Sequence, residues 1–124
     1  VRHGEIIGRG RNRREVGKTA LAHAEIEAIG EACNTAGGWR LTDSTLYVTL
    51  EPCPMCAGAI SQSRVSQLVY GAPDPAQGCA GSVYRIPEDP AFSHFCPSDG
   101  GVLADACRRP LDEFFFRRRM DKNS

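Results

Sequence analysis

Two cysteines three positions apart, Cys53 and Cys56, open a stretch of small residues in Leu50-Glu51-Pro52-Cys53-Pro54-Met55-Cys56-Ala57-Gly58-Ala59. A helical turn advances about 3.6 residues, so both thiols can face one metal ion from a single turn. Upstream, His23-Ala24-Glu25 offers an imidazole and, two residues on, a carboxylate. One imidazole and two thiolates leave a tetrahedral zinc with an open position, the arrangement of catalytic rather than structural sites. Glu25 stands about 200° around a helix from His23, so the two cannot both point at one ion. A carboxylate so placed reaches a metal-held water from the side.

The chain of 124 residues suits one domain over 1–124. Lys plus Arg and Asp plus Glu are equal at 15 each, so overall charge argues neither for nor against a nucleic-acid partner. Six cysteines invite a disulfide reading, but two belong to the metal motif. Cys33, Cys79, Cys96 and Cys107 read more simply as small apolar side chains or unreactive thiols. No apolar run approaches the roughly 20 residues needed to cross a membrane. The expected setting is a reducing cytoplasm.

In chain order, Val1 to Gly8 reads as a strand end, a tight turn at His3-Gly4 and a second strand containing Ile6 and Ile7. Gly8 to Arg14 is polar, basic and expected to be an irregular loop. Ala20–Ala36 is expected to be a helix with Ala22, Ile26, Ile29 and Cys33 as its apolar stripe, ended by Gly37-Gly38. Thr45–Leu50 is β-branched and aromatic and reads as a strand feeding directly into the cysteine helix, which runs to about Ser63. Open α/β sheets put ligands at such strand-to-helix joints. Gly58 and the alanines beside it are expected to let that helix pack closely on the His23 helix. Gln67–Gly71 is the next strand. Ala72–Pro97 is expected to be loop, with a short helix near 82–86 and an edge strand over Ser93–Cys96. A helix is expected from Val102, interrupted at Pro110. This order places the chain in the α/β class with a mainly parallel sheet.

The His-x-Glu and Pro-Cys-x-x-Cys words together form the pattern of zinc-dependent nucleobase deaminases. With Trp39-Arg40-Leu41, the run from Thr45 to Ala59, Ser63-Arg64-Val65, Gly71-Ala72-x-Asp74, Gly81-Ser82 and the C-terminal Phe/Arg cluster, the chain resembles the cytidine/nucleotide deaminase superfamily. Within it, the flanking words are most similar to bacterial tRNA-specific adenosine deaminases, and the likeness covers nearly the whole chain. The resemblance implies a three-layer α-β-α sandwich around a mainly parallel five-stranded sheet, with a further helix and strand ahead of Val1. It implies that His23, Cys53 and Cys56 bind zinc, that Glu25 shuttles protons, and that Asn12 contacts the target nucleoside. Asp74 corresponds to an acidic residue touching the anticodon backbone, and His94 to a histidine on the RNA-facing side. A homodimer acting on the tRNA anticodon loop is implied as well. The chain departs from the family at Thr19-Ala20-Leu21-Ala22, directly before the His-Ala-Glu, and at Phe116, where an arginine is usual.

Zinc lowers the pKa of bound water from about 16 towards about 7. Glu25 would take the water proton and then deliver protons to N1 and to the leaving amine of adenosine, giving inosine at the wobble position. Five of the 15 basic residues, Arg9, Arg11, Arg13, Arg14 and Lys18, fall within ten positions around Asn12. Arg117, Arg118, Arg119 and Lys122 form a second basic group. Such groups suit phosphates, with Arg13, Arg14, Arg118 and Arg119 as candidate RNA contacts. Two other readings stay open: a free-base or nucleoside deaminase acting on guanine or cytosine, and a non-catalytic zinc-stabilised RNA-binding module. An unligated carboxylate beside the metal argues against the second.

Overall fold

A computed structural model of the chain describes residues 1–12 and 19–109. Its centre is β2, Gln67–Ala72, flanked by β1, Thr45–Leu50, and the short β3, Ser98–Asp99. Both pairings are parallel, with Thr45 opposite Gln67, Leu50 opposite Ala72 and Leu68 opposite Ser98. The first helix, α1, spans Ala24–Ala36, and the second, α2, spans Pro54–Gln62 between β1 and β2. A βαβ order of this kind brings the C-terminal ends of the strands and the N-terminal ends of the following helices to one edge.

The core forms where both helices meet the sheet. Ile60 and Leu68 are fully enclosed, and Leu41, Val65, Ala32, Tyr70, Ala80 and Cys96 are buried around them. Ile29 and Cys33, from the apolar stripe of α1, pack on this cluster together with Ile7, Leu46 and Val48. Gly37 ends α1 in the left-handed conformation at φ 76°, and its N–H donates to the Cys33 carbonyl. His3 and Gly4, at φ 50° and 79°, make the tight turn that pairs Arg2 with Glu5. Positive φ at both central residues matches the right-handed twist of a hairpin.

Several boundaries differ from the sequence reading. The first helix begins at Ala24 rather than Ala20, because Thr19 captures the preceding N–H groups: its hydroxyl accepts from Leu21 and its carbonyl from Ala22. The edge strand lies at Ser98–Asp99, not Ser93–Cys96, since the Cys96 N–H is taken by the Pro87 carbonyl and pairing starts only when Pro97 accepts from Leu68. The short helix is a single 3-10 turn at Ile86–Glu88, as the Ser82 N–H is drawn away to Glu51. Among the described residues Gly58 does not mediate helix packing: a Cβ built there meets none of them within 4 Å, while its neighbour Ala57 is fully buried. A helical stretch over 104–109 follows Leu103, and the Pro110 interruption lies outside the described residues. Among the described residues the sheet has three strands, and Ile6 is largely exposed rather than part of a ladder.

Candidate metal centre and substrate site

His23 and Cys53 occupy equivalent positions, each the residue immediately before a helix, with extended backbone (ψ 150° and 175°). Neither side chain caps its own helix. Both turn instead towards a common point, joined by Cys56 from the first turn of α2. His23 Nδ1 lies 3.5 Å from the Sγ atoms of both Cys53 and Cys56, and the three donor atoms fall within 4.8 Å of one another. Bond lengths of about 2.3 Å to sulfur and about 2.0 Å to nitrogen, at a tetrahedral angle, require an N···S separation of about 3.5 Å. Both N···S separations therefore match a tetrahedral cation.

The electrostatics point the same way. Burial, then the neighbouring Glu25 carboxylate, then Cys53 push the Cys56 thiol far up. Two sulfurs and a carboxylate gathered in a half-buried corner repel one another when ionised; a divalent cation reverses that balance. Helix N-terminal N–H groups at the start of both helices add positive potential. Cys79, 1 % exposed, is pushed up by burial first, then by Cys53, Glu51 and Asp74, and stays a neutral apolar filler. All six cysteines are free thiols.

The other candidate residues divide into groups. Asn12 ends the described segment before α1 and is exposed. Asp74 lies on the same edge as Cys53, because Leu50 pairs with Ala72 and the Glu51 N–H donates to the Ala72 carbonyl. Its Oδ1 accepts from the N–H groups of Ala76 and Gln77, which closes a local turn. His94 is not brought to this corner. Its Nε2 lies 2.6 Å from the carbonyl of Val65, past the C-terminal end of α2, whereas Cys53 precedes the N-terminal end. The nine residues of α2 separate these ends by about 13 Å. The ring's visible partner is structural. Arg13, Arg14, Arg118 and Arg119 lie outside the described residues.

One residue central to this edge escaped the sequence reading. Glu51 is 2 % exposed, and its two oxygens gather the chain opposite the metal corner. Oε1 accepts from the Asp74 N–H at 3.0 Å and from the Ser82 hydroxyl; Oε2 accepts from the N–H groups of Ala80 and Ser82 at 3.0 and 2.9 Å. Burial alone would raise this carboxyl's pKa, but the hydrogen bonds from Ser82, Asp74 and Ala80 outweigh it and hold it below its ordinary value. Its place at the end of β1, directly before Pro52-Cys53, was the available signal: an acidic residue entering a buried joint needs donors waiting for it.

Residues 1–86 match the model of the MafB19-like deaminase family. The whole chain is 47% identical to a tRNA-specific adenosine deaminase of Bacillus subtilis, over 77% of that protein's length. It is 45% identical to the tRNA-specific adenosine deaminase of Haemophilus influenzae, over 94% of this chain and 68% of the relative. This chain belongs to the tRNA-specific adenosine deaminase family. Among solved structures, one from a study of A-to-I editing by tRNA:A34 deaminases superposes with a TM-score of 0.82 at 41% identity, covering 87% of this chain and 78% of the other. A guanine deaminase from Nitrosomonas europaea superposes less closely, with a TM-score of 0.70 at 26% identity over 85% of this chain and 63% of the other. The α/β fold of the deaminase is thus the cytidine deaminase-like fold. Among its described residues no helix is long and apolar enough to cross a membrane.

Proposed function

We infer that this deaminase converts adenosine to inosine at the wobble position of tRNA. The observation that carries the reading is the likeness to tRNA-specific adenosine deaminases across the full chain, through the His23, Cys53 and Cys56 words and their flanks alike. His23, Cys53 and Cys56 would hold zinc, which when bound supplies a water acidic enough to attack near neutral pH. Glu25, whose carboxylate lies near enough to Cys56 to push its thiol up, is the general base and acid. It takes one proton of the attacking water and passes it to N1 of adenine, then takes the remaining hydroxyl proton and delivers it to the amine as C6=O forms, the C6–N bond breaks and ammonia leaves. Asn12 orients the target nucleoside, and Asp74 accepts from a ribose hydroxyl or base N–H of the anticodon loop. Arg13, Arg14, Arg118 and Arg119 neutralise phosphates, contributing affinity without base identity. His94 is the weakest member of this set, given its bond to Val65.

An anticodon loop presents bases that are already unpaired, so the enzyme needs no duplex opening. The reading extends to a cytoplasmic C₂ homodimer, in which the open face at Gly58 and Ala59 meets a partner subunit. Sedimentation at micromolar concentration as a monomer would remove the dimer. For the reaction, inosine formation in an anticodon stem-loop is measured beside free guanine, cytidine and adenosine. Rapid turnover of the stem-loop alone is expected; guanine turnover with an inert stem-loop would reassign the substrate.

A further inference from the structure

The segment that leads to Asn12 crosses α1 without room for side chains on the helix side. A Cβ at Gly8 would press on the carbonyl oxygen of Ala28 and lie 2.7 Å from the Ala32 nitrogen. A Cβ at Gly10 would press on the carbonyl oxygen of Ala24 and lie 2.7 Å from the Ala28 nitrogen. The obstacles are helix backbone, which cannot rotate aside. Neither glycine has positive φ, so the requirement is for space alone. Arg9 and Arg11, the alternate residues, are exposed.

The spacing has a consequence. Moving from Gly8 to Gly10 shifts the contact from Ala28 and Ala32 to Ala24 and Ala28, four helix positions. Two extended residues span about 6.6 Å and four helical residues about 6.0 Å, so segment and helix advance in step. Continued at the same pitch, a further step of two carries Asn12 past the N-terminus of α1 at Ala24, the end that bears His23 and Glu25.

We propose that Gly8 and Gly10 are positioning residues, which set the height and register of Asn12 over the His23–Glu25 end of α1. The proposal rests on the reading of Asn12 as a substrate contact. A methyl group at Gly10 lifts the segment from the helix, and a displacement of about 1 Å at a substrate-orienting residue costs on the order of 10²-fold in rate. Merely structural glycines would act on stability and leave the folded fraction active.

The test is a double-mutant cycle on the full chain loaded with zinc, with kcat/KM, zinc content and melting temperature read for wild type, Gly10→Ala, Asn12→Ala and the pair. It is run on whichever substrate the wild type turns over, so a wrong substrate assignment shows in the wild-type arm and leaves the cycle readable. Gly10→Ala is expected to lose about 10²-fold per folded, zinc-loaded enzyme, and adding Asn12→Ala to it to cost no more than about twofold. Losses that multiply, an active Gly10→Ala enzyme, or an Asn12→Ala enzyme of wild-type rate would each overturn the proposal. Should Gly10→Ala not fold, Asn12→Gln with both glycines intact decides it. A segment held against helix backbone cannot retreat to accommodate the longer amide, so at least a tenfold loss is expected, and full activity overturns the proposal.

Discussion

The metal corner and the chain facing it are built by opposite means. His23, Cys53 and Cys56 stand at the starts of two helices whose neighbours Ala57, Ile60 and Ala32 are buried, so regular structure and packing converge the donor atoms. Residues 73–82 form neither helix nor ladder, and a single carboxylate, Glu51, gathers Asp74, Ala80 and Ser82. The corner has redundancy, since many small contacts share the work. The facing loop has one polar hub, and removing it leaves several N–H donors without a partner. Damage should therefore be local and chemical in the first region, collective in the second.

The largest effect expected is in the corner. Glu25→Gln should lower the single-turnover deamination rate by about 10²–10⁴-fold while zinc content and melting temperature stay near wild type. A rate near wild type in that variant would assign the proton transfers elsewhere. Glu51→Gln should do the reverse. The amide replaces an acceptor with a donor facing other donors, so a stability loss of about 3 kcal/mol is expected in denaturant unfolding, with the metal retained. Equal loss of zinc and stability would show that the two regions are not separable.

Acid provides a gentler version of the same break. The Glu51 carboxyl is held below its ordinary value in the folded chain, so its contribution is complete above the unfolded value and fades as pH falls through the folded one. Stability should decline on acidification below the ordinary carboxylate range, and the Glu51→Gln enzyme should lack that part of the decline. The smallest effect belongs to Gly58, where a methyl group meets nothing within 4 Å among the described residues. Gly58→Ala should stabilise the isolated subunit by about 0.5–1 kcal/mol through helix propensity. Weaker self-association in the same variant would sharpen the case for a partner at this face.

What the sequence disclosed follows the same division. The pairing of Cys53 with Cys56 was legible because helical spacing and a strand-to-helix joint are local properties, whereas His23, 30 positions from Cys53, was legible only through the His-x-Glu word of the deaminase pattern. The strands at Thr45 and Gln67 were legible through their β-branched and aromatic residues. The start of α1 was not, because Thr19 competes for N–H groups that periodicity assigns to a helix. The edge strand slipped past Pro97 because a distant carbonyl, that of Pro87, claims Cys96. Glu51 stood at a joint that marked it as in need of donors, but the loop it gathers was illegible for the same reason: those donors lie 23 to 31 positions away, and no local pattern names them. Gly58 misled because a small residue in a helix signals close approach without saying to what.

Both helices of the corner begin on a residue whose side chain performs no capping. Serine, aspartate or asparagine at such a position satisfies one orphan N–H and is worth about 1 kcal/mol over a non-capping residue. His23 and Cys53 forgo that gain twice over. Selection for robustness alone would move either position towards a capping residue, and His23→Asp or Cys53→Ser should make the metal-free chain harder to unfold even as it removes a donor. Catalytic competence and thermal endurance thus pull these two positions in opposite directions, and a search for hardier variants would find its easiest gains where the enzyme can least accept them.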